Sequence, residues 1–178
     1  MLPESIIAVV ILSEIKKIVV NNSFSLEYSD SGYHSNPQLA GIKHCNRLEQ
    51  ILARSNLSSD EGIMLDENEN VISVTQGNIY LIIGNTLLTP KLDKCGVVGS
   101  RRSLILELAK SLNIEVKEDL ISADKLKQAD EVFISNSVIG IQSVKSIEGD
   151  SLGDNPLTEE IKAAFKGKTQ DIKSWTCF

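Results

Sequence analysis

Histidine and cysteine are scarce in this chain. There are two histidines, His34 and His44, and three cysteines, Cys45, Cys95 and Cys177, in 178 residues. Two histidines exclude a multi-histidine metal centre. Cysteines that are odd in number, far apart and without a CxxC exclude a disulfide framework and a zinc ribbon. The thiols therefore read as reduced. An excess of basic charge is also lacking: Lys and Arg number 18 against 24 Asp and Glu, for a net charge of −6. A non-specific hold on nucleic acid needs a basic face, so no nucleic-acid partner is expected. Long apolar runs are missing too. The run at residues 6–12, IIAVVIL, is far short of the roughly 20 residues that span a bilayer. Only Glu4 is charged ahead of it, so the positive flank of a signal peptide is missing. No membrane partner is expected, and the expected location is the cytoplasm.

What is present is globular. Hydrophobic residues make up 42% and charged residues 24%, enough apolar material in one domain's length to bury a core. Residues 1–20 do not separate strand from helix. Phe24, Leu26 and Tyr28 alternate with polar residues, which predicts a strand. SDSGYHSNP at 29–37 reads as a loop. Cys45, Leu48, Ile51 and Leu52 share one helical face, which predicts a core-facing helix ending near Asn56. Short apolar runs at 62–65, 71–74, 78–83 and 86–89 are separated by DENEN and Gly84-Asn85. They predict an antiparallel meander ended by Pro90. A helix with the stripe Ile105, Leu108, Ala109 and Leu112 follows, capped by Ser100 or Ser103. Next come a strand at 114–117, a short helix from Ser122 to Ala129, and strands at 131–135 and 141–147. Asn155-Pro156 opens a last helix that ends at Gly167. Strands and helices do not alternate regularly, so the expected class is α+β rather than a doubly wound sheet.

Three features carry chemistry. Lys43 lies in LAGIKHCN, an apolar, glycine-containing approach to a helix. Apolar surroundings destabilise an ammonium and free its amine to act as nucleophile and base. The alternative is a lysine stem with its head at a rim. Gly96-Val97-Val98-Gly99-Ser100-Arg101-Arg102 leads into a helix, whose unpaired N–H groups and positive dipole end attract an anion. The alternative there is an ordinary tight turn. Ser135-Asn136-Ser137 closes a strand with three small polar residues, which are either further phosphate donors or a plain turn. A nucleophilic lysine together with two phosphate-donating turns is what a pyridoxal phosphate site requires.

Residues 36–54, NPQLAGIKHCNRLEQILAR, resemble the lysine segment of the aminodeoxychorismate lyases. These belong to the fold-type IV pyridoxal-phosphate enzymes, with the branched-chain and D-amino-acid aminotransferases. The resemblance continues through Asn78-Ile79-Tyr80, TPKLDKCGVVGSRR at 89–102 and ADEVFISNS at 129–137, and covers residues 22–166. It implies an α+β fold: the C-terminal domain of the D-amino-acid aminotransferase-like fold, a mixed, barrel-like sheet with flanking helices. Residues 1–21 stay unassigned and 167–178 form a tail. Lys43 matches the lysine that carries the cofactor. Gly99, Ser100 and Arg101 match the glycine and the two following positions whose N–H groups hold the phosphate. Val97 matches the residue packed on the pyridine ring, and Asn136 and Ser137 match a polar pair facing the phosphate. The implied reaction converts 4-amino-4-deoxychorismate to 4-aminobenzoate and pyruvate in folate biosynthesis. D-amino-acid or branched-chain transamination is the alternative. Intact members of the family are homodimers.

Two departures qualify these expectations. Ser73 stands where the family usually carries a glutamate that bonds the pyridine nitrogen, and no acid lies between Asn70 and Thr89. The family's N-terminal domain, with its phosphate-gripping arginine, has no counterpart, because the resemblance begins at residue 22. The sequence therefore reads as a truncated enzyme, weakly active or inactive alone, or as a non-catalytic remnant or partner subunit.

Overall fold

The structure is a computed structural model that describes residues 24–170. The apolar run at 6–12, the rest of the unassigned segment, Cys177 and the tail from 171 lie outside the described residues. In chain order the elements are β1 (Phe24–Tyr28), α1 (Leu48–Ser55), β2 (Glu61–Leu65), β3 (Val71–Val74), β4 (Asn78–Ile83) and β5 (Thr86–Pro90). They continue with α2 (Ser100–Ser111), β6 (Glu115–Asp119), α3 (Ala123–Lys127), β7 (Glu131–Asn136), β8 (Gly140–Ile147), β9 (Asp150–Ser151) and α4 (Pro156–Gln170).

The runs rich in Val, Ile and Leu become strands because both faces of the sheet are covered. β4 sends Ile79 and Leu81 to one side, with Leu26, Ile63, Val74, Val132 and Val144. It sends Tyr80 and Ile82 to the other, against Ile105 and Ala109 of α2 and Ile161 and Phe165 of α4. Tyr80 and its register partner Phe133 stack with ring centroids 4.5 Å apart. A third, smaller cluster under α1 holds Tyr33, Ala53, Met64, Ile72, Leu92 and Cys95.

The expected strands form, but they do not make one meander. Among the described residues the sheet order is β3-β2-β1-β8-β7-β4-β5-β6, with β9 beside β8. β2–β3 and β4–β5 are antiparallel hairpins in opposite halves of this sheet. The halves are joined by β1, which runs parallel to both β2 and β8. The sheet then curls. Val74 and Gly77 bridge β3 toward β4, and the Val71 N–H donates to the Ile121 carbonyl at 2.7 Å. The result is an α+β half-barrel, filled by one core and backed on its outer face by α2 and α4.

α1 and α4 differ from expectation. α1 begins at Leu48 and is turned over: Gln50 and Ala53 are buried, while Leu48, Ile51 and Leu52 are 60%, 63% and 53% exposed. What holds this orientation is polar. Arg54 Nη1 pairs with buried Glu61 Oε1 at 2.7 Å, and the Thr75 hydroxyl donates to Glu61 Oε2. α4 runs through Gly167, where a side chain would meet open space. Its first turn is capped by Glu131 of β7 rather than by the side chain of Asn155. The N–H groups of Leu157 and Thr158 donate to Glu131 Oε1 and Oε2 at 3.0 and 2.8 Å. α3 starts as expected, with Ser122 Oγ accepting the Lys125 N–H.

Candidate active site

The end of β3, the start of β4, the end of β7, the N-terminus of α2 and the loop before α1 open onto one cleft. The residues matched to the cofactor site line it together: Lys43, Ser73, Val97, Gly99, Ser100, Arg101, Asn136 and Ser137. Stretches far apart in the chain are brought together there by the curl of the sheet.

The lysine loop is fastened to the glycine loop by backbone bonds. The N–H of Asn36 donates to the Lys94 carbonyl at 2.8 Å, that of Gly41 to Gly96 at 3.1 Å and that of Val98 to Gly41 at 3.0 Å. Gly96 has φ of +85°, and a Cβ there would stand 2.8 Å from Leu92 Cδ2. Only glycine fits. The apolar surroundings expected for Lys43 are not found. Its side chain is exposed, as is that of Ile42, and it makes no hydrogen bond or ion pair among the described residues. Its amine is thus free by lack of a partner rather than by burial.

The N-terminus of α2 is built against ordinary helix rules. The N-cap is Gly99 instead of the expected Ser100 or Ser103, no side chain caps it, and its first turn holds no acid but two arginines. Helix starts favour a capping oxygen and negative charge. Here those donors stay available and face the cleft at Ser100 and Arg101. A Cβ on Gly99 would collide with Asn78 Oδ1, while Asn78 Nδ2 holds the Val97 carbonyl at 2.9 Å. The Arg101 guanidinium is tied to the cleft's rim. It donates to the Ser137 carbonyl at 2.8 Å and lies 5.2 Å from the centre of the Phe165 ring.

Asn136 braces the rim. Its Nδ2 donates to the Gln76 carbonyl, and its Oδ1 accepts the N–H groups of Val138 and Ile139. Its side chain is thereby committed to the turn. Ser73 is 4% exposed. Its hydroxyl donates to the Val74 carbonyl at 2.9 Å and so accepts from the Tyr33 hydroxyl at 3.0 Å.

The sequence reading missed Tyr33, Arg47, Gln76, Gly77 and Asn78 as lining residues. Asn78 could have been found from its place at the start of a strand after Gly77. Tyr33 sits in an irregular loop and carries no such signal. Among the described residues no carboxylate lines the cleft, whose cations are Lys43, Arg47 and Arg101. In a chain of net charge −6, this marks an anion's place. Among the described residues no group of His, Cys, Asp and Glu could hold a metal ion. Pyridoxal phosphate needs a free lysine amine, backbone donors for its phosphate and an apolar side chain for its ring. Lys43, the α2 N-terminus and Val97 fit those needs around one cleft.

The model of the family described as amino-transferase class IV matches residues 12–147. The branched-chain-amino-acid aminotransferase of Escherichia coli (strain K12) is 35% identical over 122 residues, covering 65% of this chain and 40% of that protein. The aminodeoxychorismate lyase of Vibrio harveyi is 34% identical over 114 residues, 62% of this chain and 42% of that protein. The crystal structure of 4-amino-4-deoxychorismate lyase from Pseudomonas aeruginosa matches with a TM-score of 0.78 at 33% identity, over 86% of this chain and 56% of that one. The chain spans about two fifths of the length of these curated relatives. With the half-barrel, the lysine loop and the open helix start in one cleft, the chain belongs to the class IV aminotransferase family.

Proposed function

We propose that residues 22–166 are the pyridoxal-phosphate-binding domain of an aminodeoxychorismate lyase, whose substrate is 4-amino-4-deoxychorismate and whose products are 4-aminobenzoate and pyruvate. The observation that carries this reading is the cleft itself: an unpaired Lys43, an uncapped helix start and no carboxylate. The lysine segment IKHCNRLEQ, with its resemblance to the lyases, supports the lyase over its relatives.

When bound, pyridoxal phosphate supplies an aldehyde for an amine and a ring that accepts electrons. Lys43 would supply that amine, and it is the group in the cleft that would take a proton from the substrate. The N–H groups of Ser100 and Arg101 and the hydroxyl of Ser137 would hold the phosphate, and Val97 would pack on the ring. Ser73 offers a neutral oxygen where a carboxylate would hold a protonated nitrogen more strongly, so low turnover is expected. The test is an absorbance titration with the cofactor, followed by borohydride trapping and peptide mapping. Label on Lys43, lost in Lys43→Ala, supports the assignment, and label on another lysine overturns it.

The 35% identity to a branched-chain aminotransferase favours transamination as the second reading. Formation of glutamate from 2-oxoglutarate, without 4-aminobenzoate, would select it.

A further inference from the structure

A second groove adjoins the cleft and shares Tyr33, Arg47 and Val97 with it. Two polar atoms buried on this groove have no partner among the described residues: Gln50 Oε1, on a residue 7% exposed, and His44 Nδ1. Leaving a buried acceptor unpaired is costly, and native structures rarely do so without a ligand or water in view. Arg47 stands where the groove meets the cleft. It is half-buried, and its side chain makes no hydrogen bond or ion pair among the described residues. The groove's own carboxylate does not neutralise it, because Glu49 Oε1 is held by His34 Nδ1 at 3.0 Å and by the His34 N–H. Leu48 and Leu52 add an apolar wall.

We propose that this groove takes the carboxylate-bearing end of the substrate, with Arg47 pairing the carboxylate, Gln50 Oε1 accepting a polar hydrogen and His44 Nδ1 hydrogen-bonding the same molecule. The ligand class is a small cyclic or aromatic carboxylate with a second hydrogen-bond donor. A bare inorganic anion would leave the leucines and the Gln50 oxygen unused. An uncharged apolar molecule would leave the guanidinium unpaired. The inference rests on the reading above in one respect: the cleft beside the groove is where the substrate's amine reacts.

Two probes of nearly equal shape separate charge from fit: 4-aminobenzoate and the uncharged 4-aminobenzamide. Each is titrated calorimetrically into the whole chain. The acid is expected to bind at least ~10-fold more tightly than the amide, the size of one charge-assisted hydrogen bond. Arg47→Gln should remove that preference and Arg47→Lys should keep part of it. Gln50→Leu should weaken both probes equally. The Arg47 side chain holds nothing else in place, so its variants are expected to melt with the parent. Equal affinity for acid and amide in the parent chain, or a preference that survives Arg47→Gln, overturns the inference. The cofactor titration fails or succeeds separately. Loss of cofactor binding with the Arg47-dependent preference intact sinks the reading above and leaves the groove standing. Cofactor on Lys43 with no such preference sinks the groove alone.

Discussion

Cys45 and Cys95 show how far placement governs a side chain's chemistry. Cys95 is buried, and burial pushes its thiol up from 9.0 to about 11, with the charges of Asp66 and Glu49 adding to the shift. Cys45 is exposed, two residues from Lys43. Iodoacetamide at pH 8 is therefore expected to label Cys45 and spare Cys95 in the native protein, as peptide mapping would show. Labelling of both at one rate would contradict the burial. The same shift sets a stability window. The folded chain keeps the Cys95 proton where the unfolded chain has lost it, so stability falls as pH rises from about 9 towards 11 and is flat above that. Chemical denaturation across that range, compared with Cys95→Ala, isolates the contribution. Ser73 and Tyr33 form a second residue-scale test. Tyr33→Phe removes a hydrogen bond but leaves the Ser73 hydroxyl donating to Val74, so a loss of about 1 kcal/mol is expected. Ser73→Ala strands the buried Tyr33 hydroxyl and should cost more. Urea midpoints of the two variants give the order.

At the scale of the element, the two longer helices treat their starts in opposite ways. Glu131 caps α4 from a neighbouring strand, whereas α2 is left open. Glu131→Gln should cost about 1–2 kcal/mol, because one of two acceptor oxygens and the favourable charge are both lost. Ser100→Glu should do the reverse in α2. An acid in the first turn strengthens a helix by about 0.3–1 kcal/mol. The same carboxylate occupies the anion pocket, so melting temperature should hold or rise while cofactor affinity falls by more than tenfold. A fall in both would mean that α2 is not held open for a ligand. This opposition also explains what the sequence made legible. The glycines and arginines of 96–102 break local rules, and a broken local rule marks a functional site. The strands were legible because β-branched runs have few other uses. The orientation of α1 was not, because Leu48, Ile51 and Leu52 define a helical face without saying whether it turns inward. The deciding partner, Glu61, follows the helix as an unremarkable acid. Tyr33 was equally silent, since it gains its role from Ser73, 40 residues away.

Over the whole molecule, an acidic chain surrounds a cleft without acids, and an apolar helix face stands beside that cleft. Screening by salt should weaken phosphate-bearing ligands more than neutral ones. Ile51 lies on the exposed face of α1 and outside both the cleft and the groove. Apolar patches of this kind drive association. Sedimentation of the parent chain is expected to shift to larger species as concentration rises, and Ile51→Lys should reduce the shift without lowering the melting temperature. An unchanged profile in the variant would place the association elsewhere. The parallel seating of β1 between β2 and β8 has a consequence in time. Phe24 meets Val144 and Leu26 meets Ile147, so the first of the described strands waits for one made much later. Pairings this distant are slow, because a long loop must close before they are rewarded. The backbone ties between residues 36–41 and 94–98 span a shorter interval and can close first. A chain still folding thus holds its lysine beside its glycine turn while the wall at Asn136 and Ser137 is still unmade, and ligand capture becomes a late event that waits for the finished half-barrel.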